Sequence, residues 1–193
     1  KHSIIPDIAQ TANTNMFVLV FLDHTRLWVG LISLLVFLYV RSFHVIYTIV
    51  GGGVMRIIVE ILKRIIREPR PINCKRKKKS YGMPSSHSAI VIYFAIFISL
   101  QLYSSSLYEF FDFISIHTIQ ITSPIKTFIK LILISLISLT ALSVVWSRVA
   151  LGYHTKKQVI AGVALGSCLG IIWDRLWWRY WSKTLTGQEF CLF

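Results

Sequence analysis

At 193 residues, 54% of them hydrophobic and with a mean hydropathy of +0.62, the chain is too apolar for a soluble domain of its size. Its 21 Lys+Arg against 8 Asp+Glu leave a net charge of +13. That excess fits the cations that collect at a membrane face or an anionic substrate; nucleic acid is set aside because no such motif appears and most of the chain is apolar.

Taken in chain order, the first apolar run is MFVLVFL at 16–22. It is too short to span and reads as interfacial or as part of a bent first helix. Spans are expected at about 27–42, 44–66, 87–103, 126–146 and 156–177, apolar runs recurring on the roughly 20-residue scale of a bilayer. The second carries Gly51, Gly52 and Gly53, then Arg56 and Glu60. Those two charges, four residues apart, are expected to pair with each other and face the bundle, although intramembrane charges also mark functional sites. The fifth ends in Trp173, Trp177, Trp178, Tyr180 and Trp181, which reads as an aromatic belt at the membrane boundary. Cys74, Cys168 and Cys191 form no CxxC pair, and Cys168 falls in an apolar run where packing is expected. The fold class predicted is all-α: one domain over 1–193, an integral membrane bundle of five helices, or six if the 16–22 run joins it.

Five spans alternate sides, so segments 67–86 and 147–155 share one membrane face. The first polar segment there, KRIIREPRP at 63–71, places Lys63 and Arg70 seven apart, about two helical turns. Pro69 and Pro71 end the helix near Glu68, leaving Lys63 on its last turns and Arg70 just beyond. Two such cations can grip one multivalent anion, Arg as a planar fork and Lys as a point charge. Alone, Lys63 reads equally as a snorkelling basic collar. The run from Lys75 to Lys79 reads as a solvated or headgroup-facing loop. The second segment, PSSHS at 84–88, offers Ser85 or Ser86 as a helix N-cap and places His87 in the first turn, where unpaired N–H groups favour an anion. The third, SRVALGYHTKKQ at 147–158, puts Arg148 and His154 in a short link turned by Gly152. An imidazole beside a fixed phosphate can attack phosphorus. Each segment alone also has a structural reading, as a cap or an interfacial histidine.

Together, the patterns KxxxxxxRP, PSxH and SRxxxxxH resemble the type 2 phosphatidic acid phosphatase superfamily of membrane lipid phosphatases. The match spans 63–158 and covers Lys63, Arg70, Pro71, Pro84, Ser85, His87, Ser147, Arg148 and His154. Two positions depart from the commoner pattern: Ser86 stands where a glycine precedes the histidine, and Gln158 where an Asp follows His154 by four residues. REPRP, YGMPSSHS and SRVALGYHTKKQV look most like the dolichyl diphosphate phosphatases of the endoplasmic reticulum, which also resemble this chain at the Gln158 position.

The resemblance implies that His154 is the nucleophile and forms a phosphohistidine, and that His87 is the general acid and then the general base. It implies that Lys63, Arg70, Arg148, Ser85 and Ser86 hold the phosphoryl oxygens. No cofactor and no metal are expected, since three cations and a helix end stand in for a divalent ion. The substrate implied is a polyisoprenyl (dolichyl) diphosphate in the bilayer, with no obligate protein partner. A lipid monophosphate substrate, a noncatalytic lipid-phosphate binder and a transporter are the competing readings. Gln158 carries two readings of equal standing. It orients His154, or it closes a capping box in TKKQ with Thr155 as N-cap. Loop cations place the site in the cytoplasm, whereas the resemblance implies the lumen of the endoplasmic reticulum, and the lumen is the orientation we carry forward.

Overall fold

The computed structural model describes residues 24–40, 43–71, 81–104 and 123–181. These form five α-helices: α1 (Thr25–Val40), α2 (Phe43–Ile66), α3 (Ser86–Ser104), α4 (Ser123–Ala150) and α5 (Lys156–Leu176). A π-helical turn, Trp177–Trp181, follows α5. The described residues are otherwise turns and extended links, and the chain is an integral membrane protein. Helices α2 to α5 are each long and apolar enough to cross a bilayer. Helix α1, at 16 residues, is shorter, about 24 Å against a hydrocarbon core of about 30 Å. The 16–22 run, the Lys75–Lys79 run, Cys74 and Cys191 lie outside the described residues.

Helix α3 is the central element and packs against α5, α4 and α2 in decreasing order of extent. Its contact with α5 is backbone-close because α5 carries Gly162, Gly166 and Gly170 at four-residue intervals, one stripe on one face. A Cβ at Gly162 would stand 2.6 Å from the Ser85 carbonyl oxygen, and one at Gly170 would stand 3.1 Å from Ile96 Cβ. Small residues there let the two helices approach where a hydrophobic effect between lipid-bathed helices is absent. On the outer surface the pattern reverses: Leu131, Leu136, Leu139 and Leu142 of α4 are exposed, as a lipid-facing flank requires.

The core joins Met55 and Val59 of α2 to Ala89, Tyr93 and Phe97 of α3. Part of the expected aromatic belt belongs to it. Trp177 is buried, and its ring lies 5.1 Å from that of Tyr47 and 6.3 Å from that of Phe43. Trp173 stacks on Tyr47 at 5.0 Å, and the pair exchange bonds: Tyr47 Oη donates to the Trp173 carbonyl and Trp173 Nε1 to the Tyr47 carbonyl, both 3.0 Å. Inside a bilayer every such N–H and O–H needs an internal partner. Trp178, Tyr180 and Trp181 remain exposed, as a belt would have them. Two further expectations are corrected, and the role of two glycines emerges. Glu60 pairs with Lys63 (3.7 Å) rather than Arg56, and both Arg56 and Glu60 are exposed. Cys168 is exposed on α5, not packed inside. Gly51 and Gly52 are packing positions, because a side chain there would meet the rings of Tyr93 and Phe94.

Candidate active site

Three helix ends meet at one end of the bundle. Helix α2 stops at Ile66. Arg67 takes a left-handed φ of 53°, and its N–H closes on the Lys63 carbonyl at 3.0 Å, a one-residue αL cap. The segment from Glu68 to Pro71 then leaves the helix, because both prolines refuse it. Lys63 is buried on the last turn of α2 and donates to Ser86 Oγ at 2.6 Å, which binds it to the start of α3.

Helix α3 begins at Ser86, with Ser85 just before it. The Ser85 carbonyl accepts the first helical bond, from Ala89 N at 3.0 Å, and Ser88 Oγ donates to Ser85 Oγ at 3.0 Å. Ser85, Ser86, His87 and Ser88 are all buried. His87 also lines a cavity of about 400 Å³ whose walls come from α1, α2 and α3. Val29, Leu34, Phe37, Ile90, Val91 and Phe94 make it apolar, with Arg56 as its charged lining residue.

Arg148 is not in a link as expected. Helix α4 runs on through Ala150 and carries Arg148 in its last turn, fully buried. The serine before it receives the guanidinium: Nε and Nη2 donate to Ser147 Oγ at 3.1 and 3.0 Å, while Ser147 Oγ donates to the Val144 carbonyl at 2.7 Å. The Tyr153 ring lies 5.8 Å from the guanidinium carbon. Gly152, at φ +68°, makes the turn that a β-carbon would resist. Tyr153 N and His154 N then both donate to the Arg148 carbonyl, at 3.2 and 3.3 Å.

His154 is 5% exposed. Its pKa is lowered to about 4, first by burial and then by the nearby Arg70 charge, with Lys63 adding to the effect; hydrogen bonds to Gln158 and the Gly82 backbone oppose it. The ring is therefore neutral at neutral pH. Gln158, wholly buried, closes the capping box and is also placed against His154. Its Oε1 accepts from Thr155 N at 3.2 Å while Thr155 Oγ1 accepts from Gln158 N at 3.3 Å, which is the capping box. The same Oε1 faces His154 Nδ1 at 3.2 Å. Its Nε2 donates to Glu68 Oε1 at 3.0 Å and to the Pro69 carbonyl at 2.8 Å. This network fixes the amide orientation, since a flipped Gln158 would set its oxygen against two acceptors and its NH₂ against the Thr155 N–H. With an acceptor opposite it, His154 Nδ1 completes that bond when it carries the proton, the tautomer that leaves the lone pair on Nε2. A neutral imidazole of that tautomer among cations is suited to attack an electrophilic phosphorus.

Of the residues expected in the site, Lys63 meets Ser86, and His154 meets Gln158 and stands near Arg70 and Lys63. The backbone of Gln158 reaches the second motif as well, accepting from Ser85 N at 3.0 Å. Sequence reasoning passed over Glu68 and Gly82. A Cβ at Gly82 would stand 2.5 Å from Gln158 Nε2, so this glycine makes room for the amide. The signal for Glu68 was its place inside REPRP, and for Gly82 its closeness to PSSHS. Among the described residues no group of three His, Cys, Asp or Glu side chains is placed to hold a metal ion.

The model of the PAP2 superfamily matches residues 41–183. Dolichyldiphosphatase 1 of Dictyostelium discoideum is 39% identical over 114 residues, covering 58% of this chain and 43% of that protein. Dolichyldiphosphatase 1 of Rhinolophus ferrumequinum is 33% identical over 152 residues, covering 75% and 57%. Lipid phosphate phosphatase gamma of Arabidopsis thaliana is 30% identical over 162 residues, covering 79% and 65%. The chain thus spans about half the length of the dolichyldiphosphatases it matches. In fold it is similar to a transmembrane PAP2-type phosphatidylglycerolphosphate phosphatase from Bacillus subtilis, with a TM-score of 0.62, 18% identity, and coverage of 91% of this chain and 87% of that one. With the family model matching from before α2 to beyond the π-helical turn, across all three motifs, the chain belongs to the PAP2 superfamily.

Proposed function

We propose that the chain hydrolyses a polyisoprenyl (dolichyl) diphosphate to the monophosphate and phosphate, without a metal, through a phosphohistidine on His154. The observation that carries the reading is the 3.2 Å approach of His154 Nδ1 to Gln158 Oε1, an acceptor whose orientation is set by Thr155, Glu68 and Pro69; it favours the proton on Nδ1 and the lone pair on Nε2. In the first step Nε2 bonds to the terminal phosphorus and the bridging P–O bond breaks. The lipid monophosphate leaves with the bridging oxygen, and His87 supplies a proton where the leaving group needs one. In the second step His87 takes a proton from water, the water oxygen bonds to phosphorus, and the P–N bond returns its electrons to Nε2. Lys63, Arg70, Arg148 and the donors of Ser85 and Ser86 hold the phosphoryl oxygens where negative charge gathers, the term that is often the largest in catalysis.

The cavity beside His87 supports a lipid substrate, since mostly apolar side chains of three helices line it. Similarity to the dolichyldiphosphatases favours a diphosphate. It also favours the endoplasmic reticulum membrane, a lumenal site and recycling of the glycosyl carrier lipid for protein N-glycosylation. The similarity to a lipid phosphate phosphatase keeps a lipid monophosphate, phosphatidate included, as the second reading. The test is phosphate release by purified protein in detergent, on dolichyl diphosphate, dolichyl monophosphate and phosphatidate, with His154→Ala beside it. Release from the diphosphate that is fastest of the three and lost in His154→Ala is the expected result. Preference for phosphatidate would move the substrate to the second reading, and turnover retained by His154→Ala would remove the nucleophile.

A further inference from the structure

The His154 ring meets one amide, and that amide touches a carboxylate. Gln158 is wholly buried, and its four side-chain partners come from two distant segments: His154 and Thr155 on one side, Glu68 and Pro69 on the other. The commoner arrangement in this superfamily sets an Asp at the position of Gln158. Here a Glu of the same length would fail, because one of its oxygens would face the Pro69 carbonyl and the Glu68 carboxylate, two acceptors within hydrogen-bond distance of the present Nε2. Glu68 is also fixed through its backbone: its carbonyl accepts from Gly82 N at 2.7 Å, and Gly82 is the residue whose lack of a Cβ admits the Gln158 side chain.

We propose that Glu68 is a positioning residue for the phosphotransfer step, supplying through the Gln158 amide the negative charge that an Asp beside the histidine would supply directly. The inference rests on the reading of His154 as nucleophile. When Nε2 bonds to phosphorus, the ring that results carries positive charge and still donates its Nδ1 proton to Gln158 Oε1. A carboxylate on the amide nitrogen draws the amide dipole toward greater negative charge at that oxygen, and bonds linked in a chain strengthen one another. Keeping the carboxylate one amide away has a second effect. It leaves no full negative charge against His154, where an incoming diphosphate must also fit, and it leaves the resting ring neutral. The same bonds hold the Glu68–Pro69 backbone, and so set where Arg70 stands relative to His154.

The two roles separate by kinetics. Glu68→Gln keeps an acceptor oxygen of the same reach and removes only the charge. Hydrogen bonds to charged groups exceed neutral ones enough that kcat should fall roughly tenfold or more, with KM within about twofold and thermal unfolding in detergent unchanged. Gln158→Glu should lose far more, by setting two carboxylates together. Adding Glu68→Gln to it should recover at least about tenfold, since Gln at 68 can donate to the new carboxylate. Wild-type kcat in Glu68→Gln, above all if Glu68→Ala is impaired, would show that Glu68 is a prop whose charge does nothing, and would overturn the proposal. A double variant no faster than Gln158→Glu would overturn it too; should Gln158→Glu fail to fold, the kcat of Glu68→Gln decides alone. His154→Ala in the same assay distinguishes the failures. Turnover retained there sinks the nucleophile, whereas turnover lost there with a wild-type Glu68→Gln sinks only this inference.

Discussion

Gly162→Ala is the smallest change that should separate the two helices carrying the site. The added Cβ would lie 2.6 Å from the Ser85 carbonyl oxygen, and ordinary contact begins at 3.4 Å, so α3 and α5 must part locally by about 0.8 Å. The opposing atom is backbone and is engaged by Ala89 N at 3.0 Å, so no side-chain rotation relieves the clash. Overpacking of this kind costs about 1–3 kcal/mol. Part of the displacement falls on the Ser85–His87 turn and on the Ser85 N bond to the Gln158 carbonyl, and misplacement near 1 Å can cost on the order of 10²-fold in rate. Gly53→Ala is the control. Nothing lies within 4 Å of a Cβ there, and in a helix interior alanine is favoured over glycine by about 1 kcal/mol. Thermal unfolding in detergent and phosphate release, measured on both variants, check the argument. Gly162→Ala should melt lower and turn over slower while Gly53→Ala does neither. Equal behaviour of the two would refute the close-approach account of the α3–α5 contact.

His87→Ala should lose about 10²–10⁴-fold on lipid monophosphates, which expel an alkoxide. The loss should shrink along a series of better leaving groups, and uniform loss over that series would withdraw the acid role. The His154 ring, with a pKa of about 4 against an ordinary 6.5, should stay neutral down to about pH 5. Between those values the unfolded chain binds the proton and the folded one does not, so stability should fall as pH drops through that window. Nitrogen NMR of ¹⁵N-histidine-labelled protein, with the His154 signal identified by its loss in His154→Gln, reads this directly; titration near 6.5 would contradict the burial argument. Excess chelator should leave phosphate release intact and vanadate should inhibit it, so loss on chelation with recovery on added Mg²⁺ would reverse the cation-clamp reading.

The spans were legible because bilayer insertion is decided locally. Each 20-residue window meets the same hydrocarbon, so FHVIYTIVGGGV or LILISLISL declares itself without knowledge of its neighbours. The site motifs were legible for a related reason: prolines, caps and a turn glycine mark helix ends, and the alternation of spans sorts those ends by face. What could not be read was which side chain meets which. Glu60 meets Lys63 rather than the expected Arg56, while Lys63 also donates to Ser86 on another helix and Arg56 lines the cavity. Trp173 and Trp177 left the expected belt because the end of α5 lies against the start of α2, and Tyr47 offered them a ring and a carbonyl. Gln158 had two readings along the chain and its carbonyl oxygen reaches both Thr155 N and His154 Nδ1, but its amide nitrogen needed a partner about ninety residues away. Local sequence set where helices begin and end, and only the packing of α3 against α5 and α2 brought Glu68, Gln158 and His154 into one chain of hydrogen bonds.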